Sequence, residues 1–414
     1  MRVWIVNPFD PLPGDPEQEG RYATLAKLLV ARGHRVLWWT SVFSHRFKRP
    51  VDQAAVRTAC AAAGIDVEFL PAPAYHRNVG LRRLWNHHAL AQRFHAAALA
   101  RAPHPDVIVV SSPPPSLARR AVDVARTKRA KSVVDVQDAW PDVFAILAPR
   151  PLRPLVKMLM PLLRRDVRRA ARACDAIVGV ADSYVELFQR DAPATTLTAT
   201  IPLGIDLAAF DAAAARGRGP QFAKRPDEIW LAYTGSLNRN YDFLTILRAA
   251  ARIGADHQPP LRFFVTGRGE LANEAEQFVR QQRLTNVTLT GFLDFDTWAN
   301  LLAQCDIGFN ATFPETMIYL PNKIFYYFAA GTAVLNTIPG QCSRIVQAGG
   351  CGRDYLAGDP ESCAAAIREL VQNAESREAM RRAARRLAET EYDRARLFLK
   401  YADLIERLGS ARSG

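Results

Sequence analysis

Short apolar runs of strand length alternate with helical patterns along the first half of the chain. Five such runs are bounded by polar residues or Pro, namely RVWIVN, RVLWWTS, DVIVVSS, SVVDVQD and DAIVGVA. Between the first two runs, GRYATLAKLLVARGH carries apolar residues near helical spacing and stops at Gly33. Strands that alternate with helices in this way predict a parallel sheet with helices on both faces.

A second series of apolar runs follows an interruption at residues 201–228, which are rich in Ala, Gly, Pro and charge. Its runs are IWLAYTG, RFFVTGRG, NVTLTGF, CDIGFNA and AVLNT, and a charged helix from about Asp393 to Leu408 closes the chain. We interpret 201–228 as a linker region between two doubly wound α/β domains. Because such folds bind ligands at the carboxyl ends of their strands, two facing domains are expected to form a central cleft.

The composition indicates a two-domain protein without a metal or disulfide framework. The chain has 414 residues, 49 % of them hydrophobic, and its six cysteines show no Cys-x-x-Cys spacing. We therefore expect neither a zinc site nor disulfides, and a reducing cytosol is the natural compartment. Met1 leads directly into the first strand without a signal-peptide pattern, and no apolar run has the length of a membrane span.

Positive charge is concentrated in the first half of the chain. Residues 1–203 contain 29 Lys and Arg against 17 Asp and Glu, a net charge of +12, whereas the remainder carries +1. This asymmetry predicts that one half meets a polyanionic surface, either a membrane or a nucleic acid.

Two basic amphipathic segments favour the membrane. The first holds eight basic residues between Arg150 and Arg172 with a single acid, Asp166, and seven apolar residues: Leu152, Leu155, Val156, Leu159, Leu162, Leu163 and Val167. The second contains Arg77, Arg82, Arg83, Trp85 and Arg93. Such helices suit an anionic membrane surface, although ordinary packed helices with a solvated basic face remain the alternative. Nucleic-acid binding is not expected, because interleaved aromatic residues are few and no known motif is present.

Two glycine loops follow predicted strands of the second half. Gly235-Ser236 and Gly267-Arg268-Gly269 could let backbone N–H groups approach a phosphate closely. The alternative is that these glycines merely turn the chain. The spacing of Gly267, Gly269 and Ala272 also matches a dinucleotide fingerprint, but it follows the second strand of its domain rather than the first, which disfavours nicotinamide binding.

Polar residues also end a buried strand of the first half. Gln137 and Asp138 close SVVDVQD, and Trp140 follows. A carboxylate at such a strand end is a candidate catalytic group or sugar-hydroxyl ligand, with a helix cap or turn aspartate as the alternative. The histidines at positions 45, 76, 87 and 88 lack the spacing of metal ligands, and we interpret them as surface or loop residues.

Lys323 lies in the first turn of a short predicted helix within YLPNKIFYYFAAGTAVLNT. Asn322 is a favourable N-cap, Gly331 supplies the C-terminal stop, and Ala333–Asn336 has the length of a strand. A cation at a helix N-terminus is locally unfavourable because the helix dipole is positive there. We therefore predict that an anion binds in front of Lys323.

Taken in order, these segments resemble the bacterial family-four glycosyltransferases, retaining enzymes of the GT-B fold, especially the branch that builds O-antigens, capsules and exopolysaccharides. The resemblance covers nearly the whole chain, through EGRYATLAKLLVARGHRVLWWTSVFSH, DVQDAWPDVF, IPLGID, AYTGSLNRNYDFLTILRAA, FFVTGRGE, NVTLTGFLDFDTWANLLAQCDIGFN and LPNKIFYYFAAGTAVL. It implies an acceptor-binding Rossmann-like domain at 1–202 and a nucleotide-sugar-binding one at 203–390. It further implies that a helix at 391–414 packs back towards the first domain.

The resemblance also assigns site residues. It implies that Asp138 contacts the transferred sugar and that Lys323 stabilises the leaving diphosphate, with Arg239 or Arg268 as possible helpers. The implied donor-binding set is Gly235, Ser236, Arg239, Gly267, Arg268, Phe292, Glu315, Asn322, Lys323 and Tyr326. Near the acceptor it places Gly14, Gly20, Arg21 and Trp140. Neither a metal nor a cofactor is implied, and a leaving phosphate oxygen would take the acceptor's proton.

Some positions differ from the family pattern. Tyr326 stands where most relatives have an acidic residue that binds the ribose hydroxyls, and Ile318 stands at the earlier acidic position, with Glu315 nearby. Ser236 and Tyr241 replace a common Arg and Lys. Tyr offers one hydroxyl and no charge, so we hypothesise that Tyr326 tolerates a deoxyribose and that the donor is a dTDP-sugar, with UDP- and GDP-sugars left open.

The expected function is transfer of a hexosyl or deoxyhexosyl group, with retention, to a lipid-linked glycan in surface polysaccharide biosynthesis. The expected location is the cytoplasm, at the inner face of the membrane. A soluble small-molecule acceptor and a non-catalytic nucleotide- or glycan-binding relative are the alternatives.

Overall fold

A computed structural model of the chain describes residues 1–14, 20–76, 80–217 and 222–410. The chain forms two units. The first comprises Met1–Pro202 and the chain from Phe398 onward, and the second comprises Leu203–Leu397. Each unit contains a parallel sheet with helices packed against it, which confirms the α/β class predicted from the sequence.

The first unit contains a parallel sheet of seven strands in the order β5-β2-β1-β6-β7-β8-β9. The five apolar runs of the first half form its centre, because strands covered on both faces are continuously apolar. The strands are β1 (Arg2–Val6), β2 (Arg35–Ser41), β5 (Ile65–Leu70), β6 (Val107–Ser112), β7 (Lys131–Val136), β8 (Ala176–Gly179) and β9 (Leu197–Thr200). A small antiparallel hairpin, β3 (Phe43–Ser44) with β4 (Arg49–Pro50), follows β2.

Helices of the first unit connect these strands. They are α1 (Arg21–Ala31), α2 (Gln53–Ala62), α3 (Leu81–Ala100), α4 (Pro115–Thr127), α5 (Phe144–Leu147), α6 (Arg153–Leu163), α7 (Arg165–Ala171) and α8 (Asp182–Gln189). The core between them and the sheet is apolar, and Val109, Leu117 and Val133 are fully buried within it. By contrast, none of the residues of α6 is buried.

The second unit contains a parallel sheet of six strands in the order β12-β11-β10-β13-β14-β15. The strands are β10 (Ile229–Thr234), β11 (Leu261–Thr266), β12 (Val287–Gly291), β13 (Ile307–Asn310), β14 (Ala333–Asn336) and β15 (Gly352–Asp354). All six residues of β10 are buried, because this strand is flanked by β11 and β13 and covered on both faces. The carboxyl ends of β10 and β11 carry the two predicted glycine loops.

Helices of the second unit include one that the sequence pattern did not predict. They are α9 (Leu207–Arg216), α10 (Phe243–Ile253), α11 (Ala272–Gln281), α12 (Phe295–Gln304), α13 (Lys323–Ala330), α14 (Gln341–Ala348), α15 (Pro360–Gln372) and α16 (Ala374–Thr390). The last helix, α17 (Arg394–Ser410), begins in the second unit and belongs to the first unit from Phe398 onward. Helix α9 lies inside the segment interpreted as a linker. Its N-terminus is capped by Asp206, whose carboxylate accepts a hydrogen bond from Ala209 N–H at 2.9 Å, and the buried Phe210 anchors it against Trp298 of α12.

A buried ion pair anchors the end of the chain to the first unit. Arg21 Nε donates to Asp135 Oδ2 at 2.7 Å, and the hydroxyls of Tyr22 and Tyr401 donate to the same oxygen at 3.0 Å. Arg21 also donates to the carbonyl of Ile201 at 2.8 Å. These contacts give Arg21 a structural role, and its predicted contact with an acceptor stays a prediction.

Candidate functional site

Helix α13 is fixed to the sheet of the second unit by apolar packing and one tyrosine. Ile324, Phe325 and Phe328 are buried on its inner face. The hydroxyl of Tyr327 donates to the carbonyl of Phe309 at 3.0 Å and accepts from Thr234 N–H at 3.1 Å. Helix α13 thus rests at the carboxyl ends of β10 and β13, and its first residue, Lys323, lies beside the loop that leaves β10.

Lys323 is a buried cation enclosed by aromatic faces. Only 7 % of the residue is exposed, and its Nζ lies 4.1 Å from the ring centroids of both Tyr233 and Tyr241. Within the described part of the chain, Nζ has no hydrogen-bond partner. Burial lowers the pKa of Lys323 well below its ordinary value. Since a buried ammonium without an anion is costly, the site favours binding of a negatively charged group.

The two glycine loops touch through their backbones. A Cβ on Gly267 would lie 1.8 Å from the carbonyl oxygen of Gly235, and one on Gly269 would lie 2.1 Å from that of Leu237. Gly235 and Gly267 also have φ values of 133° and 137°, which L side chains rarely adopt. Glycine is therefore required at positions 267 and 269 for the close approach of the two loops, and a side chain at either position would separate them.

The N–H groups of these glycines are already engaged in the fold. Gly235 N–H donates to the carbonyl of Thr266 at 3.0 Å, and Gly267 N–H donates to that of Gly291 at 2.8 Å. Backbone contact between these loops and a diphosphate stays a prediction. Gly235 lies against the side chain of Lys323, because a Cβ at Gly235 would lie 3.2 Å from Lys323 Nζ. The absence of a side chain at Gly235 leaves room beside the ammonium.

Tyr326 packs against an aromatic cluster. Its ring meets that of Trp298 edge-on, with centroids 4.8 Å apart, and lies 6.5 Å from Phe210. The indole N–H of Trp298 donates to Thr234 Oγ1 at 2.8 Å, so this cluster reaches the end of β10. The tyrosine at this position therefore has a packing role between α9, α12 and α13.

The remaining predicted donor residues lie at nearby strand ends and loops. The Arg268 guanidinium lies 4.9 Å over the Phe292 ring, and residue Phe292 is 62 % exposed, which suits a platform for a planar ligand. The carbonyl of Ser236 accepts from the Tyr233 hydroxyl at 3.0 Å. Arg239 faces Glu270 at 3.7 Å, and Glu315 lies exposed in the 3₁₀ turn Pro314–Thr316. The prediction that Asn322 caps α13 is wrong, because its backbone is already helical and its side chain makes no capping bond.

Asp138 lies just after β7 in the first unit. Its Oδ1 accepts from the N–H of Ala139 at 2.7 Å, and the Trp140 indole donates to its carboxylate. Burial raises the pKa of the Asp138 carboxyl, while these hydrogen bonds and the charge of Arg83 act in the opposite direction. The carboxylate therefore has local partners, and contact with a transferred sugar stays a prediction.

A cluster of aromatic and basic side chains lies around Asp138. The ring centroids of Phe9 and His87 are 5.3 Å apart, as are those of His87 and Trp140, and Arg83 lies 4.6 Å over the Trp140 ring. The prediction that His87 is a surface or loop residue is wrong, because it lies buried within α3. Arg83, assigned from the sequence to a membrane face, packs inside this cluster. The pattern of apolar and polar positions could not reveal this cluster, because its members come from three separate segments of the chain.

Both histidines of this part of the unit are held neutral. Burial, with Arg83 nearby, lowers the pKa of His87 to about 3. Burial, with Arg83 and Lys48 nearby, lowers the pKa of His45 to about 4. His45 Nδ1 lies 2.5 Å from the Tyr75 hydroxyl and 3.2 Å from Lys48 Nζ, so it acts as an acceptor and its proton resides on Nε2.

A cavity of about 400 Å³ lies next to these residues. Its lining includes Phe9 and Gly14 of the loop after β1, Thr40 at the end of β2, and His45 and Arg49 of the hairpin. Gly20, at the start of α1, approaches Asp10, and a Cβ there would lie 2.6 Å from Asp10 Oδ2. The structure thus places Gly14 on the cavity wall and Gly20 where a side chain would displace its loop.

Helix α6 presents an apolar surface at the protein exterior. Its exposed apolar residues, with the residue before it, are Leu152, Leu155, Met158, Leu159, Leu162 and Leu163. Met158 and Leu162 are 70 % and 64 % exposed. One basic residue of this region does not belong to the surface, because Arg164 is buried and paired with Asp142 and Asp191 at 2.5 and 2.7 Å. Arg77 lies outside the described residues.

No helix in the described ranges has the length and apolarity needed to cross a membrane. Nor do the described side chains form a group of three or more His, Cys, Asp or Glu that could hold a metal ion.

Two sequence families match the chain. Residues 19–209 match the family described as Glycosyltransferase Family 4, and residues 228–373 match that described as Glycosyl transferases group 1. Together the two matches span most of both units. A comparison with curated proteins finds no match.

Solved structures of glycosyltransferases share the fold. HepE from Anabaena, in complex with UDP, superposes with a TM-score of 0.68 at 16 % identity, covering 98 % of this chain and 100 % of its own. Sucrose-phosphate synthase from Thermosynechococcus elongatus superposes with a TM-score of 0.70 at 16 % sequence identity, and the match covers 99 % of each chain. WaaG, a glycosyltransferase involved in lipopolysaccharide biosynthesis, superposes with a TM-score of 0.66 at 15 % sequence identity. The match covers 97 % of this chain and 99 % of WaaG. These likenesses confirm the predicted GT-B fold.

Proposed function

The chain belongs to the family-four, group 1 glycosyltransferases, retaining enzymes of the GT-B fold that use nucleotide-sugar donors, and from this we propose that it transfers a hexosyl or deoxyhexosyl group to a lipid-linked glycan. The proposed setting is surface polysaccharide biosynthesis at the cytoplasmic face of the membrane. The observation that carries the donor assignment is Lys323, a buried ammonium without a hydrogen-bond partner at the start of α13.

The donor's diphosphate would lie in front of Lys323. Negative charge grows on the leaving diphosphate as the bond to the sugar breaks, and a fixed cation stabilises that charge most where water is excluded. The N-terminus of α13 adds a dipole of the same sign. Tyr233 and Tyr241 hold the ammonium in place by cation–π contacts at 4.1 Å. The acceptor hydroxyl would attack the sugar from the side of the departing diphosphate, whose oxygen takes the proton.

The nucleoside would lie along the ends of β11 and β12. The exposed face of Phe292, braced by Arg268, offers an aromatic platform for a base. Tyr326 presents an aromatic ring in place of a carboxylate, and its packing against Trp298 gives that side of the site an apolar character. This supports a dTDP-sugar, whereas the HepE complexes with UDP and UDP-glucose support a UDP-sugar.

Titration with dTDP and UDP separates these two donors. If Tyr326 selects a deoxyribose, dTDP binds more tightly than UDP, and Tyr326→Glu reverses the order because a carboxylate accepts hydrogen bonds from both ribose hydroxyls. Tighter binding of UDP by the unmodified protein overturns the dTDP assignment.

The acceptor assignment rests on α6. Its exposed leucines and Met158 lie among Arg150, Arg153 and Lys157, a combination that suits insertion at an anionic bilayer surface. An acceptor carried by a lipid would be presented at that surface. If the acceptor were soluble, contact between α6 and a membrane would not be needed to reach it.

A thermal-shift screen of nucleoside diphosphates and their sugars tests the proposed function. A ligand that binds the folded state raises the midpoint of unfolding according to its concentration relative to Kd. We expect a shift with one nucleoside diphosphate, slow hydrolysis of the matching sugar donor, and loss of both in Lys323→Met. Binding without any hydrolysis or transfer would indicate a non-catalytic relative.

A further inference from the structure

Helix α6 is joined at both ends to the segment that follows β7. At its start, Arg153 Nε and Nη2 donate to the carbonyls of Ala148 and Ile146 at 3.2 and 3.0 Å. Just after its end, Arg164 Nη1 donates to Asp142 Oδ2 at 2.5 Å. None of the residues of α6 is buried, so the two arginines, rather than buried apolar side chains of the helix, connect it to this segment.

Arg164 holds two carboxylates and a carbonyl at once. Only 8 % of the residue is exposed, and its Nη2 donates to Asp191 Oδ2 and to the carbonyl of Leu187, both at 2.7 Å. One planar guanidinium thus fixes Asp142 against the end of α8 with directional bonds. Without it, two partly buried carboxylates would face the same gap, and their repulsion would displace Asp142.

The turn after β7 is short and closed by hydrogen bonds. Asp138 Oδ1 accepts from Ala139 N–H at 2.7 Å, and the carbonyl of Ala139 accepts from Val143 N–H at 2.9 Å. Asp142 lies inside this turn, next to Val143. A restraint on Asp142 is therefore transmitted to Asp138 through a few hydrogen-bonded residues.

Trp140 lies in the same turn, between Asp138 and Asp142. Its indole donates to the Asp138 carboxylate, and its ring packs edge-on against Phe144 with centroids 4.7 Å apart. Displacement of Asp142 would move the indole away from Asp138. The carboxylate would then lose a hydrogen bond that favours its charged form.

We propose that Arg164 is a positioning residue for the transfer reaction, because it fixes the turn after β7 through Asp142 and so sets the geometry of the Asp138 carboxylate. This inference rests on the proposed function, in which Asp138 contacts the transferred sugar. It adds that the junction of α6 and α7, besides its place beside the proposed membrane contact, orients a group that takes part in the reaction.

The groups around Asp138 define the expected pH dependence. Burial raises the pKa of its carboxyl, whereas the hydrogen bonds from Ala139 and Trp140 and the charge of Arg83 lower it. His87, which packs on the Trp140 ring, has a pKa lowered to about 3 by burial and by Arg83, so it stays neutral above that pH. Loss of the Trp140 bond should therefore raise the pKa of Asp138.

Two measurements on Arg164→Met test the proposal. Carbon NMR of protein labelled at the aspartate carboxyl carbons, assigned with Asp138→Asn, should show a raised pKa for Asp138. The acidic limb of the kcat profile should move to higher pH with it. We expect kcat to fall by about 100-fold for a displacement of about 1 Å. The KM for the donor should be unchanged, because the proposed donor contacts lie in the second unit.

The matched control is Arg119→Met. Arg119 Nε pairs with Asp166 of α7 at 2.9 Å, and its side chain is 19 % exposed. The variant thus removes a partly buried ion pair of the same unit outside the turn after β7. It should change neither the pKa of Asp138 nor the acidic limb, even where it lowers the unfolding temperature.

Asp142→Asn tests the same link if Arg164→Met does not fold, since Arg164 keeps its bonds to Asp191 and Leu187. It should raise the pKa of Asp138 in the same direction by less. An unchanged pKa of Asp138 in every variant of Arg164 and Asp142 that folds would mean that Arg164 only stabilises the fold, and the proposal would be wrong.

Failure of the proposed function would give a different result. The unmodified protein would then neither bind nor hydrolyse any nucleoside diphosphate-sugar. The NMR comparison does not depend on activity, and it would still show whether Arg164 controls the Asp138 carboxyl. A raised pKa without any transfer would retain the link between the two residues and overturn its assignment to a transfer reaction.

Discussion

At the scale of single residues, Lys323 links protonation to donor binding. Burial lowers its pKa in the free protein, so between that pKa and the ordinary value of about 10.4 the unfolded chain binds more protons than the folded one. In this pH range the free energy of unfolding increases with pH. Below this range Lys323 is charged in the folded and the unfolded protein, and the folded protein carries the full cost of the buried charge. An anion in front of Nζ favours the charged form and raises the pKa again.

Donor binding should therefore take up a proton. Calorimetric titration with the preferred nucleoside diphosphate at about pH 9, in two buffers of different ionisation enthalpy, measures this uptake. Lys323→Met should lose the uptake and the binding while unfolding at the same or a higher temperature, because a buried, unpaired ammonium is replaced by an apolar chain. Identical heats in the two buffers would contradict the assignment.

Single residues also show where sequence patterns stop being informative. Lys323 could be identified because its position at a helix start is a local feature. The cluster of Phe9, Arg83, His87 and Trp140 could not, because its members are separated by up to 131 positions and meet only when β1, β7 and α3 are assembled. Tyr326 differs from the family pattern, but only the structure shows that its ring packs against Trp298.

At the scale of elements, helix α6 should be separable from the stability of the fold. None of its residues is buried, so Met158→Asp combined with Leu162→Asp should leave the unfolding temperature unchanged. Burying a Met or Leu side chain in a membrane gains about 1.5–3 kcal/mol, and the variant should lose at least tenfold in binding to vesicles containing anionic lipid. Sedimentation with such vesicles measures the effect.

The matched control for this experiment is Leu356→Asp in the second unit. Leu356 is 68 % exposed, close to the values for Met158 and Leu162, but it does not belong to the basic half of the chain. It should leave vesicle binding unchanged. An equal loss in Leu356→Asp, or no loss in the α6 variant at low salt, would argue against α6 as the membrane contact.

Several strands that the sequence predicted lie in a uniform environment. Strands such as β6 and β10 are buried throughout and appear as continuous apolar runs. The edge strand β9, with the sequence LTAT, and β15, with GRD, are partly exposed and lack such a run. Helix α9 was missed for a different reason, because its Ala-rich sequence lies among Gly, Pro and charged residues that indicate a loop.

At the scale of the whole molecule, the ion pair between Arg21 and Asp135 stabilises two segments of the first unit: the one where the chain leaves the unit and the one where it returns. Arg21 donates to the carbonyl of Ile201, next to the exit after Pro202, and Tyr401 follows the return at Phe398 and donates to Asp135. The adjoining parts of the same two segments are paired in the second unit. Ile205 N–H donates to the carbonyl of Tyr392 at 2.9 Å, and Arg394 N–H donates to the carbonyl of Ile205 at 2.8 Å.

Removing the guanidinium should destabilise the first unit selectively. Arg21→Met leaves the fully buried Asp135 carboxylate without its cation, and breaking a buried pair in this way typically costs about 3–5 kcal/mol. Hydrogen exchange followed by mass spectrometry should show faster exchange in β7 and α17 and unchanged exchange in β10. Arg216→Met, which breaks the exposed pair with Asp296, should change neither, because exposed ion pairs contribute little. Equal acceleration in β7 and β10 would instead mean that the two units unfold as one, and Arg21 would then stabilise the whole molecule rather than its first unit.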